Sequence, residues 1–207
     1  NPDYTQVSYF ELAQKIFVTA SLAYPQFSLS FAPLMTILLK KGNTEILKQW
    51  VEQLLKWLTV AGVGIMFSFL LLGEDMVRLI LGKAYQPVAT NLLVLSLVLF
   101  FLALNSVSNL LNLVYERPKV ALTGSIIRLA VFWGSGFFFI SFWGSFGGCL
   151  AFLIASIFSA GYLTWQTRVH LPYALRRWIF AIGSVALFLP LLWFRSSLSV
   201  NVALLIF

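Results

Sequence analysis

Long apolar runs separated by short charged turns are the feature of this sequence that most restricts its fold. A helix needs about 20 predominantly apolar residues to cross the hydrocarbon core of a bilayer, and several runs reach that length. Charged residues make up only 10% of the chain and hydrophobic residues 60%, whereas a soluble domain carries about 25% charged residues. This composition excludes a soluble enzyme, a disordered tail and a disulfide-stapled secreted domain. It predicts an integral membrane protein.

The runs predict an all-α polytopic membrane bundle with about six complete spans and a truncated seventh. One transmembrane domain is expected over residues 1–207. The first run, 9–39, exceeds one span, and its Pro25 and Pro33 predict either a kink or a span followed by an interfacial piece. An amphipathic helix start is expected over 45–56, after a turn at Gly42 and Asn43. A polar stretch is expected at 73–87, after the second predicted span. The other predicted spans are 54–72, 91–115, 120–142, 149–165 (after a glycine-rich turn at 144–148), 178–194 and a seventh from Leu198.

Basic residues concentrate in alternate turns. Nine Lys and Arg lie within 40–56, 116–119 and 168–177, three lie in the opposite turns, and two lie inside spans. Cytoplasmic turns carry the excess of Lys and Arg, so these turns are expected in the cytoplasm and the Asn1 end outside. An external first residue other than Met predicts a fragment that has lost an odd number of spans upstream. The net charge of +7 is therefore attributed to topology, and no nucleic-acid partner is expected.

The sequence contains no recognisable enzyme motif. It lacks a P-loop, a His-Glu-x-x-His, a Gly-x-Ser-x-Gly and an Asp-x-Asp pair. Cys149 lies in an apolar run and His170 in a basic turn, so the two are not expected to form a catalytic dyad. We therefore expect no covalent catalysis, and no cofactor or metal.

Two cations at membrane depth are the leading functional candidates, because an ionisable group there costs about 2.5–3.5 kcal/mol on insertion scales. Arg128 lies nine residues past Lys119, about 13 Å into its helix. The neighbouring runs offer it no acidic partner, which favours a cavity-lining role. Lys15 follows Glu11 by one helical turn, so it is either a cavity residue or a neutralised pair near the outer interface.

A polar stripe follows one face of the third span. Asn105, Asn109 and Asn112 recur at i, i+4 and i+7, which places them on the same side of a helix. The stripe either lines a hydrophilic lumen or forms hydrogen bonds with a neighbouring helix. We count all three as candidate substrate-binding residues, beside Lys15, Glu11 and Arg128.

The order of these features resembles the bacterial polysaccharide-unit flippases of the multidrug/oligosaccharidyl-lipid/polysaccharide exporter (MATE-like) superfamily. The stretch 77–85 is similar to their hydrophobic-Gly-x-x-Tyr external loop. The first run, with Tyr9, Ala13, Lys15 and Pro33, looks like their eighth helix, although Arg usually stands where this chain has Lys15. Residues 105–119 resemble the tenth helix and its basic turn, and 144–148 the entry to the twelfth.

The resemblance implies a two-lobed bundle of about fourteen helices, of which this chain would be the C-terminal second lobe. The implied function is transfer of an undecaprenyl-pyrophosphate-linked oligosaccharide (an O-antigen, exopolysaccharide or capsule unit, or lipid II) by alternating access across a bacterial or archaeal cytoplasmic membrane. Implied partners are that substrate, membrane lipid and the polymerase and glycosyltransferases of the same pathway. Basic side chains in a cavity, here Lys15 and Arg128, would attract the pyrophosphate. Lys15 keeps the charge but lacks the bidentate fork of Arg.

Three alternatives remain at this stage. A multidrug or cation antiporter of the same superfamily would use an intramembrane carboxylate, for which Glu11 is available. A membrane-bound glycosyltransferase or ligase would need a large external loop, and no turn exceeds about twenty residues. A non-transport membrane subunit would tolerate replacement of both Lys15 and Arg128.

Overall fold

The structure, a computed structural model, describes residues 2–175 and 178–179. It divides into two compact units, Asn1–Tyr173 and Ala174–Phe207. The first unit has six α-helices in its described residues and no strand; a short 3₁₀ turn, Lys83–Tyr85, precedes the fifth. The helices are α1 Pro2–Ser21, α2 Ala23–Ser30, α3 Ala32–Lys40, α4 Thr44–Ile80, α5 Gln86–Val114 and α6 Pro118–Arg168.

Four helical stretches of the described residues are long and apolar enough to cross a membrane. They are Tyr4–Lys40, Thr44–Ile80, Lys83–Val114 and Pro118–Arg168. The all-α architecture of a multi-pass membrane protein is therefore confirmed at this level. The predicted sixth span lies outside the described residues apart from Trp178 and Ile179, and the seventh lies wholly outside them. The single transmembrane domain over 1–207 stays a prediction, because the second unit is mostly undescribed.

The first apolar run is broken at the places its prolines predict. Leu22 separates α1 from α2, and Phe31 separates α2 from α3. Pro25 and Pro33 lie in the first turns of α2 and α3, where a residue without an N–H is tolerated. Each proline removes the hydrogen bond that would run back across the break. The first run is therefore interrupted twice, as its prolines predict, and the choice between a kinked span and a span followed by an interfacial piece stays a prediction.

Helix α4 is longer than the sequence pattern indicates. The predicted second span ends at residue 72, and 73–87 was expected to be polar connection. Instead α4 continues through Glu74 and Arg78 to Ile80. Nothing in 73–80 breaks a helix, and Gly73 and Val77 are buried on its packed side. The first true stop is Gly82, whose φ of 91° favours glycine.

Helix α5 is the centre of the first unit. It packs against α4 on one side and α6 on another, and α1, α2 and α3 also contact it. Its Leu95, Leu99, Val107 and Leu111 are fully buried. A helix that is apolar on most of its circumference belongs in a protein core or in a membrane, and α5 is covered largely by its neighbouring helices.

Helix α6 is a helical hairpin. Its regular backbone is interrupted at Gly144, with φ 54° and ψ −129°. The residues on either side form two arms, 118–143 and 145–168, which pack against each other along their length. The rings of Phe132 and Phe152 lie 6.1 Å apart, and the Ser159 hydroxyl is 3.1 Å from the Gly124 carbonyl oxygen. The arms correspond to the predicted fourth and fifth spans and the interruption to the predicted glycine-rich turn.

Two glycines make this hairpin sterically possible. The positive φ of Gly144 is a conformation that L side chains rarely adopt. A Cβ on Gly147 would stand 2.1 Å from the carbonyl oxygen of Phe139, so the second arm starts in backbone contact with the first. The chain can reverse within a few residues because neither position carries a side chain.

Successive turns alternate between the two ends of the bundle. At one end, the Tyr9 hydroxyl donates to the Ala84 carbonyl at 3.0 Å, and the backbone N–H and hydroxyl of Ser145 both donate to the Gln6 amide oxygen, at 3.3 and 2.9 Å. At the other end, the Arg117 guanidinium contacts the His170 ring. We call the end with Gln6, Ala84 and Ser145 the tip end, and the end with Arg117 and His170 the basic end.

Candidate anion-binding cavity

A cavity of about 330 Å³ lies where α2, α5 and both arms of α6 meet. At about 30 Å³ per water molecule it has room for roughly ten waters, or for a compact polar group of that size. Its apolar wall consists of Pro25 and four leucines: Leu29, Leu102, Leu110 and Leu163. Its polar wall consists of Arg128, Asn105, Asn109 and four serines: Ser28, Ser106, Ser125 and Ser159.

Among the described residues, Arg128 is the single charged residue of the cavity wall. It is half-buried, and it forms no hydrogen bond or ion pair with the described residues. It lies ten residues into α6, about 15 Å along the helix axis from Pro118. No carboxylate of the described part of the chain lines the cavity, so this wall leaves the guanidinium charge uncompensated. Its five N–H donors are available to a ligand.

Asn105 adds an amide donor next to this charge. The side chain is 4% exposed, and its Oδ1 lies 3.3 Å from the Ser159 hydroxyl. Its Nδ2 has no hydrogen-bond partner among the described residues. A buried N–H without a partner is costly, at about 1–3 kcal/mol. A ligand acceptor in the cavity would remove that cost.

The asparagine stripe divides between two environments. Asn105 and Asn109 line the cavity, and Asn109 is the more exposed of the two. Asn112, one turn nearer the basic end, is buried and does not line it. Both interpretations of the stripe therefore apply to Asn105, which faces the cavity and also contacts Ser159 on the neighbouring arm.

Lys15 and Glu11 lie elsewhere. The Lys15 Nζ is 2.7 Å from a Glu11 carboxylate oxygen, and the two side chains are 70% and 57% exposed. Lys15 borders an apolar groove of about 250 Å³ between α1 and α4. It is six residues past Tyr9, or about 9 Å from the tip end. The structure thus joins these two residues to each other and does not bring them to the Arg128 cavity.

Sequence reasoning missed the serines of the wall. Ser28 follows the Pro25 break, Ser125 lies three residues before Arg128, and Ser159 lies among alanines on the second arm. A serine in a membrane helix can line a cavity or allow close packing of helices, and the surrounding sequence does not distinguish the two. These hydroxyls form one group because α2, α5 and α6 pack around the same cavity, which the sequence does not show.

The described residues contain no cluster of His, Cys, Asp and Glu that could hold a metal ion. The chemistry of the cavity is instead that of an anion site. It has one guanidinium, amide and hydroxyl donors, and no negative charge. Phosphate and pyrophosphate oxygens accept several such hydrogen bonds at once.

Comparison of the chain with protein-family models, with curated proteins and with solved structures finds no match.

Proposed function

We propose that this protein is a flippase that moves an undecaprenyl-pyrophosphate-linked oligosaccharide across the cytoplasmic membrane. The observation that carries the proposal is Arg128, a cation at the wall of a cavity inside the helix bundle, with no acidic partner there among the described residues. Retaining such a charge is expensive unless it serves a ligand. A lipid-linked pyrophosphate is the anion that would reach this depth with its chain still in the bilayer.

The proposal places the chain in the MATE-like superfamily as the second of two lobes. Alternating access would expose the cavity first to the cytoplasmic side and then to the outer side by rocking one lobe against the other. Arg128 would hold the pyrophosphate bidentately, and Asn105 and Asn109 would donate to its remaining oxygens. No bond is made or broken, so the protein would act as a transporter and not as an enzyme.

The state of Glu11 favours a flippase over a cation antiporter. An antiporter needs an intramembrane carboxylate that is free to bind a proton or a cationic drug. Glu11 is the candidate, and it is bonded to Lys15 at 2.7 Å. The same pairing reduces the attraction of Lys15 for an anion. We therefore assign Lys15 a smaller share of substrate binding than Arg128.

The test is transport by the full-length protein in sealed vesicles that contain a fluorescent pyrophosphate-linked saccharide lipid. Arg128→Ala should lower the rate of transfer about tenfold or more, the effect of losing about one charge-assisted hydrogen bond. Arg128→Lys should retain part of the activity, because it keeps the charge and loses the fork. Lys15→Ala should cause a smaller loss.

Arg78→Ala is the matched control. Arg78 is an exposed arginine in the last turn of α4 and does not line the Arg128 cavity, so this variant should transport at the wild-type rate. Wild-type transport by Arg128→Ala, with normal membrane insertion, would refute the cavity assignment. Wild-type transport by Lys15→Ala and Arg128→Ala together would favour a non-transport membrane subunit.

A further inference from the structure

A second, shallow pocket of about 470 Å³ lies at the tip end of the bundle, away from Arg128. It opens between the start of α1, the start of α5 and the turn of the α6 hairpin. Its wall includes Gln6, Gln86, Thr90, Asn91, Trp143 and Ser145. None of the residues that line it is ionisable, which distinguishes it from the Arg128 cavity.

Neighbouring residues hold two of the amides in defined orientations. The Gln6 oxygen accepts hydrogen bonds from Ser145, at 2.9 Å from the hydroxyl, so its NH₂ group remains available. The Gln86 NH₂ donates to Glu74 at 2.6 Å, so the Gln86 oxygen remains available. The pocket therefore offers one amide that donates and one that accepts.

Asn91 is the independent sign of a ligand. It is 1% exposed, it lines the pocket, and its Nδ2 has no hydrogen-bond partner within the described part of the chain. A buried amide donor is costly unless a partner arrives. A ligand with an acceptor oxygen at this wall would supply that partner.

Trp143 adds a flat apolar surface. Its side chain is 54% exposed, and its ring stacks on Phe139 at 5.5 Å with an interplanar angle of 12°. The stacking holds the indole in place while it remains accessible. An indole with polar groups around it suits a ligand that is apolar on one face and polar at its edges.

We propose that the tip-end pocket binds an uncharged saccharide. A sugar hydroxyl can donate and accept a hydrogen bond, so it can pair with both the Gln6 amide, which donates, and the Gln86 amide, which accepts. The C–H face of a sugar ring can pack on the Trp143 indole. A phosphate would need a cation, a metal ion would need carboxylates, and an apolar compound would leave these amides unpaired. The inference rests on the proposed function in one respect, since it assigns the pocket to the sugars of the transported lipid.

The experiment is saturation-transfer NMR on the full-length protein in lipid nanodiscs, with maltotriose, mannotriose and chitotriose as probes. At least one trisaccharide should bind the wild-type protein. Asn91→Leu and Trp143→Leu should each weaken that binding about tenfold, the size expected for about one hydrogen bond or one aromatic contact. Thr90→Val should also weaken binding. Because Thr90 is exposed, this substitution should leave folding unaffected.

Trp133→Leu is the matched control, because Trp133 is also an exposed tryptophan of the first arm and does not line the pocket. Its binding should equal that of the wild type. A pyrophosphate-linked lipid with the same sugars should compete with the bound trisaccharide. Absence of trisaccharide binding, unchanged binding in the three pocket variants, or failure of the lipid to compete would overturn the inference.

The two proposals fail separately. Arg128→Ala should leave trisaccharide binding unchanged, because Arg128 lines the other cavity. Transport that depends on Arg128, without trisaccharide binding, would overturn the saccharide pocket alone. Trisaccharide binding together with Arg128-independent transport would overturn the flippase mechanism and leave the pocket standing.

Discussion

Gly144 has a backbone conformation that few other residues adopt. Its φ of 54° with ψ of −129° allows α6 to reverse, and the neighbouring Gln6 oxygen would be 3.0 Å from an added Cβ. Strained φ/ψ values cost about 1–3 kcal/mol in residues other than glycine. The residue identity at this one position therefore decides whether the hairpin closes without strain.

We expect Gly144→Ala to lower the free energy of unfolding by about 1–3 kcal/mol, measured by thermal or denaturant unfolding in detergent micelles. Gly134→Ala is the control. Gly134 lies in the same arm with nothing within 4 Å of an added Cβ, so the substitution should change stability little or raise it slightly. Equal effects at the two positions would show that backbone strain at Gly144 is unimportant.

At the scale of helices, Ser159 joins three elements. Its hydroxyl lies 3.1 Å from the Gly124 carbonyl of the first α6 arm and 3.3 Å from Asn105 of α5. Ser156, one turn away, is equally buried, but its hydroxyl donates to the Phe152 carbonyl of its own helix. Comparison of Ser159 with Ser156 therefore distinguishes a hydrogen bond between helices from a hydrogen bond within one helix.

Ser159→Ala should therefore destabilise the bundle by about 1 kcal/mol, in the range measured for hydrogen bonds between membrane helices. Ser156→Ala should have a smaller effect, because the Phe152 carbonyl keeps its backbone hydrogen bond. Unfolding in mixed detergent micelles measures both. A Ser156→Ala loss as large as that of Ser159→Ala would contradict the bridging role.

At the scale of the whole molecule, two basic turns that are far apart in sequence meet, because the Arg117 guanidinium contacts the His170 ring. Among the described residues, seven Lys and Arg lie in the predicted cytoplasmic segments and two in the tip-end segments: Lys40, Lys41, Lys48, Lys56, Arg117, Lys119 and Arg168, against Arg78 and Lys83. The excess of positive charge on one side predicts that this side is cytoplasmic. The tip-end pocket would then face outward.

Single cysteines in a Cys149→Ala background test this orientation. Lys83→Cys should react in intact cells with a membrane-impermeant maleimide, whereas Lys41→Cys and Glu116→Cys should react only after permeabilisation. All three positions are exposed, so accessibility alone does not distinguish them. The reverse labelling pattern would invert the topology, and a difference between Lys41→Cys and Glu116→Cys would refute the alternation of spans.

The sequence by itself determined that the chain suits a membrane, that it is helical and where its helices are interrupted. Its apolar runs are long enough that the helices follow from length alone, and Pro25, Pro33 and the glycines at 144–148 mark interruptions, because these residues act on their own backbone. Helix ends were less predictable. The turn residue Gly82 ended α4, while the charges at Glu74 and Arg78 did not, since charged side chains are compatible with a helix that leaves the membrane.

Only the tertiary structure decided which polar residues act together. Arg128, Asn105 and Asn109 were identifiable singly as polar groups at membrane depth. Their shared cavity with Ser28 and Ser159 depends on how three helices pack, and so does the separation of Lys15 from Arg128. Periodicity assigns a residue to one face of its own helix. It carries no information about which helix lies opposite, because that is settled by side-chain volumes on both surfaces.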